Sequence, residues 1–286
     1  MPKEILIHAG AHRTGTSSFQ LCLAVNRVAL DAVGCDVAYP GREGAPGGTL
    51  RLPLNKAGHD GVLRRLRHHS PDPSRALLLS EENIPGQMFP FLRGQFYPQA
   101  EQRLRLMANA IAAAGGQTRR VLLLLRSYDT LFASAYRKRA EDHPVGDFAG
   151  RVPGFLAMDR GWVELVQAFR DILAPQELLV ADYARRGRSC DLLRRLMPAL
   201  DGPLGEPTNS VNRSATDAAL RHLQARYHAG ETLPRAEWQQ VIRDFSEDDR
   251  DLGVTRYSES EKSVLSGRYS ADLERIAGLE GITLLR

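Results

Sequence analysis

Lysine is nearly missing from this sequence. It occurs only at Lys3, Lys56, Lys138 and Lys262, although Lys and Arg together number 38 among 286 residues. The basic excess, a formal net charge of +4, is therefore carried by arginine, whose planar fork suits two-point recognition of phosphate or sulfate. The arginines are dispersed, and without a dense basic run the charge does not argue for a nucleic-acid partner. Cysteine is also scarce. Cys22, Cys35 and Cys190 are odd in number and lack metal-ligand spacing, which excludes a disulfide scaffold and a zinc cage and fits free thiols in a reducing compartment. Long apolar runs are absent too: the leucine-rich stretch 121–125 falls far short of the ~20 residues that cross a membrane. The N-terminal apolar stretch turns polar at once, unlike a signal peptide. The expectation is a cytoplasmic protein with no membrane span.

What remains is ordinary globular material, 43% hydrophobic and 25% charged, with enough chain for a substantial core. Its most informative stretch is the start. Residues 5–9 form a short apolar run, and Gly10-Ala11-His12-Arg13-Thr14-Gly15-Thr16-Ser17-Ser18 follows before a helical pattern. Strand, tight loop and helix make a phosphate cradle, in which loop N–H groups and the positive end of the helix dipole face one point. Gly10, Gly15 and Ser17 match places in the G-x-x-x-x-G-K-[ST] nucleotide motif. Thr16 stands at the Lys place, and the cation has moved into the loop as Arg13.

Further along, residues 76–80 read as a buried strand ending in Ser80-Glu81-Glu82-Asn83. Carboxylates there would stand at the carboxyl edge of a parallel sheet, where ligands bind, and one could serve as a general base. A solvated turn explains them equally well. The irregular segment 85–98 carries Met88, Phe89, Phe91, Phe96 and Tyr97, either a pocket wall or packing against the body. Residues 121–125 form a central strand, and Arg126 follows immediately. A magnesium-dependent triphosphatase would place Asp at such a strand end. Ser134 lies about two turns into the next helix, which turns its hydroxyl back toward Arg126, so the two can converge on a second phosphate. Residues 162–173 read as a helix, 178–181 as a strand and 191–200 as a helix. From residue 215 on the pattern is helical, with breaks near Gly230 and Gly253.

His12-Arg13-Thr14-Gly15-Thr16-Ser17 resembles the 5′-phosphosulfate loop of sulfotransferases that use 3′-phosphoadenosine 5′-phosphosulfate (PAPS). Arg126 with Ser134 and Tyr136 resembles that family's 3′-phosphate segment, and Ser80-Glu81-Glu82-Asn83 resembles the Ser-x-Glu-Asn string of bacterial members. The strand ending at Asp182-Tyr183, the string 209–214 and the segment 245–277 are similar to later parts of the family pattern. The resemblance implies a single domain over 1–286, a P-loop-type three-layer α/β sandwich with a central, mostly parallel sheet. Its core would span 1–200, and a helical C-terminal segment 201–286. It implies PAPS as donor, adenosine 3′,5′-bisphosphate as product, no metal, and a small-molecule, carbohydrate or lipid acceptor. Glu82 would be the base, with Glu81 and His12 as rivals. Arg13, Thr14, Gly15, Thr16, Ser17 and Ser18 would hold the phosphosulfate, and Arg126, Ser134 and Arg213 the remainder of the nucleotide. Arg13 replaces the family's usual Lys. An ATP- and Mg²⁺-dependent small-molecule kinase, or a non-catalytic adenosine-phosphate binder, remains as an alternative.

Overall fold

The apolar runs pair into one sheet. A computed structural model of the chain describes residues 2–41, 45, 47–54, 58–208 and 214–285. In it β1 (Lys3–His8), β2 (Cys35–Ala38), β3 (Ala76–Ser80), β4 (Gly116–Leu125), β5 (Glu177–Asp182) and β6 (Ile282–Leu285) lie in the order β2-β3-β1-β4-β5-β6. Every neighbouring pair is parallel. Eleven α-helices among the described residues connect and cover them: α1 (Thr16–Val25), α2 (Arg27–Ala32), α3 (Gly58–His69), α4 (Ala100–Ala113), α5 (Tyr128–Ala140), α6 (Val152–Leu156), α7 (Trp162–Leu173), α8 (Ser189–Leu196), α9 (Asp217–His228), α10 (Arg235–Asp244) and α11 (Glu259–Ala277).

The alternation of side chains along each strand sorts the core into two layers. Ile5, Ile7, Leu77, Leu79, Val121, Leu123, Leu125, Leu178 and Val180 face a cluster completed by α3, α4, α5, α7, α9 and α11. Leu6, Leu78, Leu122, Leu124, Leu179 and Ala181 face a second cluster, with α1, α2 and α8. Two helical layers around a sheet make a three-layer α/β sandwich, as an all-parallel sheet buried on both faces requires.

The expected parallel sheet is present, with every strand pair among the described residues parallel; two other expectations need correction. The C-terminal part is not only helical, because β6 pairs with β5 through Leu178–Ile282 to Ala181–Leu285. Its four residues are too short for a period-2 pattern to be distinguished from a loop. The helix expected at 191–200 is α8, which starts two residues earlier and stops before Pro198, whose ring disfavours helical geometry in the residue ahead of it. No helix among the described residues is long and apolar enough to cross a membrane.

Candidate functional site

The carboxyl ends of β3, β1, β4 and β5 lie side by side, and each delivers one of the segments singled out in the sequence. After β1 the chain makes the tight loop from Ala9 to Gly15. Gly10 is required by close approach, because a Cβ there would sit 2.7 Å from Thr16 Oγ1 and 2.8 Å from His8 Nε2. Gly15 is required by conformation, with φ of +85°, and it leads straight into α1. That helix has no side-chain cap and no acidic residue in its first turn, so the positive end of its dipole is uncompensated at Thr16, Ser17 and Ser18. Ser17 and Ser18 are half-buried and Thr16 is buried. Thr14 is fully buried and its hydroxyl donates to Ala11 O, which places it inside the loop's own framework.

Arg13 has φ of +63°, a left-handed backbone that costs a non-glycine residue on the order of 1–3 kcal/mol. The surroundings enforce it. Arg126 Nη1 donates to the Arg13 carbonyl at 2.7 Å. The Arg13 side chain runs to α5, where Nε donates to Ser134 Oγ at 2.8 Å, and its Nη2 donates to Ser214 Oγ at 3.0 Å. The two expected phosphate segments are therefore joined through Arg13. Ser134 meets Arg13 rather than Arg126, whose Nε donates to Thr130 Oγ1 at 3.1 Å. The Trp162 indole donates to the Arg126 carbonyl at 2.9 Å, tying the strand end to α7. Burial lowers the Arg126 pKa, Tyr183 opposes that shift, and the neighbouring Arg13 charge adds to it.

At the end of β3 the two glutamates part. Glu81 is buried, and its Oε1 accepts the Asn83 backbone N–H at 2.9 Å and the Asn83 side-chain N–H at 2.8 Å. Arg103, from α4, is buried and donates to Ile84 O at 3.1 Å and to Asn83 O, fixing the same turn. Glu82 is half-buried and lies close enough to His12 for its charge to oppose the depression of the His12 pKa, which burial causes. His12 has both ring nitrogens engaged, Nδ1 with Tyr97 Oη at 3.3 Å and Nε2 with Asn83 Oδ1 at 3.1 Å. Within the aromatic segment Phe91, Phe96 and Tyr97 are buried in the core, and Phe89 is half-buried.

Sequence reasoning passed over Arg186, four residues beyond β5. Its guanidinium would lie 2.8 Å from a Cβ at Gly15, and it sits 5.4 Å from the centroid of the Tyr183 ring, which Arg126 approaches to 5.1 Å. The only signal was a basic residue following the Asp182-Tyr183 strand end in a region rich in arginine. Arg213 lies outside the described residues. Among those described, Arg13, Arg126 and Arg186 form no ion pair with a carboxylate, and no group of three or more His, Cys, Asp or Glu is arranged to hold a metal ion. Such a concentration of unpaired, part-buried guanidinium around a glycine loop can hold an anion and stabilise negative charge developing on it. Compared with known proteins, the chain matches no family model and no curated protein.

Proposed function

We propose that the chain is a sulfotransferase that moves the sulfuryl group of PAPS to a hydroxyl of a small-molecule, carbohydrate or lipid acceptor. The observation that carries this reading is the meeting of Arg13 with Arg126 and Ser134 at the loop, with neither arginine in a close ion pair with a carboxylate among the described residues and Asp129 acting on Arg126 only through its charge. Two like charges held together and part-buried oppose each other, and a doubly anionic ligand between them relieves that cost. The residues fit the nucleotide as follows. The first-turn N–H groups at Thr16, Ser17 and Ser18, with Arg13, hold the phosphosulfate; Arg126 holds the 3′-phosphate.

In the proposed reaction the acceptor oxygen attacks sulfur while the bond from sulfur to the bridging phosphate oxygen breaks. The electron pair leaves with adenosine 3′,5′-bisphosphate, and the acceptor proton passes to Glu82. Of the three candidate bases, Glu82 is preferred because it holds the Glu place of the Ser80-Glu81-Glu82-Asn83 string that resembles the family's Ser-x-Glu-Asn; Glu81 closes the Asn83 turn, and His12 bonds to Tyr97 and Asn83. Arg13 takes the place of the family's Lys by stabilising charge on the bridging oxygen, a role that needs positive charge and hydrogen bonds rather than a proton donor.

Calorimetry tests the reading. Adenosine 3′,5′-bisphosphate is expected to bind in magnesium-free buffer, and PAPS to be turned over once an acceptor is found. Binding of ATP that requires Mg²⁺, with none of the bisphosphate, would indicate a kinase instead; bisphosphate binding with no turnover across a broad acceptor screen would indicate the non-catalytic alternative.

A further inference from the structure

We propose that Arg186 is a second cation of the phosphate loop and donates to the anionic group seated over Gly15. The assignment deepens the sulfotransferase reading and rests on it. Arg186 is half-buried, and its Nη1 is fully buried without a hydrogen-bond partner among the described residues. A buried donor left unmade costs about 1–3 kcal/mol, and more when it is charged, so the position calls for an acceptor. The protein offers none among the described residues. Glu206, the carboxylate whose charge Arg186 influences, spends both oxygens on the N–H groups of Ser189 and Cys190 at 2.9 and 2.8 Å. What the guanidinium does touch is the loop: its Cζ and Nη1 would each lie 2.8 Å from a Cβ at Gly15.

A second orphan sits at the other loop glycine. His8 is fully buried, its Nε2 has no partner among the described residues, and that atom would lie 2.8 Å from a Cβ at Gly10. The two glycines that bracket the loop are thus each backed by an unpartnered nitrogen, and glycine is what leaves room for both. Arg186 also approaches from a different direction than Arg13. Arg13 reaches Ser134 on α5, which belongs to the core layer on one sheet face, whereas Arg186 precedes α8, which belongs to the other. Cations from both faces of the sheet then meet one 5′-phosphate or phosphosulfate, and the loop needs no Lys at Thr16.

The test is titration calorimetry on the full chain in magnesium-free buffer with three probes: adenosine 3′,5′-bisphosphate, adenosine 5′-phosphate and adenosine 3′-phosphate. Arg186→Ala is expected to weaken the bisphosphate and the 5′-phosphate about tenfold to hundredfold and to leave the 3′-phosphate within about threefold, a change too small to count as a lost charged hydrogen bond. Arg126→Ala should show the reverse pattern. Arg186→Gln, which keeps part of the stem and a polar end but removes the charge and the reach of the guanidinium, should follow Arg186→Ala in affinity while retaining the wild-type melting temperature, separating ligand contact from folding. Wild-type protein that binds none of the probes overturns the sulfotransferase reading and this assignment with it. Wild-type binding combined with an unchanged Arg186→Gln affinity, or with an equal loss for all three probes, overturns the assignment alone.

Discussion

Adjacent residues at one strand end have opposite fates here. Glu81 and Glu82 are chemically alike, but Glu81 is buried and closes the Asn83 turn, while Glu82 is half-buried and its charge reaches His12. If the proposed reaction holds, Glu82→Gln is expected to cut turnover by about 10²–10⁴ with bisphosphate affinity nearly unchanged. Glu81→Gln should lower stability instead, with turnover per folded molecule near normal; the reversed outcome would move the base to Glu81. His8 gives a pH signature. Burial, then the Arg186 charge, push its pKa down to about 3, so between pH 6.5 and 3 the unfolded chain binds a proton that the folded chain refuses. Stability is fully present above pH 6.5 and falls as pH drops toward 3, by at most about 1.4 kcal/mol per pH unit from this group. Urea unfolding of wild type and His8→Asn across that window should show the steeper decline in wild type. At this scale Arg13, Arg126 and the Glu pair were legible, because glycine spacing and strand-end charge are local signals. Arg186 was not, because its meaning comes from contact with a residue 171 positions earlier (186 minus 15).

Among the elements, α5, α7 and α11 meet at one hydroxyl. Tyr128 Oη accepts the Trp162 backbone N–H at 2.7 Å and donates to Asp272 Oδ2, and Arg268 lies 5.1 Å from the Tyr128 ring centroid. Tyr128→Phe should cost about 1–3 kcal/mol, because it strands the buried Trp162 N–H and removes the donor to Asp272 Oδ2, leaving that carboxylate, among the described residues, only its longer pairing with Arg275 at 3.9 Å. The double change with Asp272→Ala should cost less than the sum of the singles, since both act on one network; strict additivity would show that the hydroxyl and the carboxylate are energetically independent. Strands β1, β3, β4 and β5 were readable in advance because they are buried on both faces and appear as continuous apolar runs. The helix at Trp162–Leu173 was equally plain from its periodicity. β6 was hidden by its length and by the helical pattern before it. The path of Ser134 was half legible: the helical rise brings it back to the strand end, but only the folded loop shows that Arg13 takes it.

The whole molecule is held by pairings that are distant along the chain. One core cluster contains Ile5 and Ile276 together, and β6 adds to a sheet begun at Lys3. Tyr269 donates to Asp182 at 2.9 Å, so the far segment supports the carboxyl edge of β5 as well as the start of α5. The glycine loop, the β3-end glutamates and the Arg126 strand end were readable because each is short and contiguous; the support beneath them was not, because it is assembled across the sheet. This arrangement sets a clock on synthesis. Asp272 follows Tyr128 by 144 residues, and at roughly 5–20 residues per second a ribosome needs about 7–30 s to supply it. Throughout that interval the nascent chain already carries the glycine loop and Arg126 but lacks the helix that fixes the residues behind them, so the arginine cluster takes its final form well after its own residues have been made.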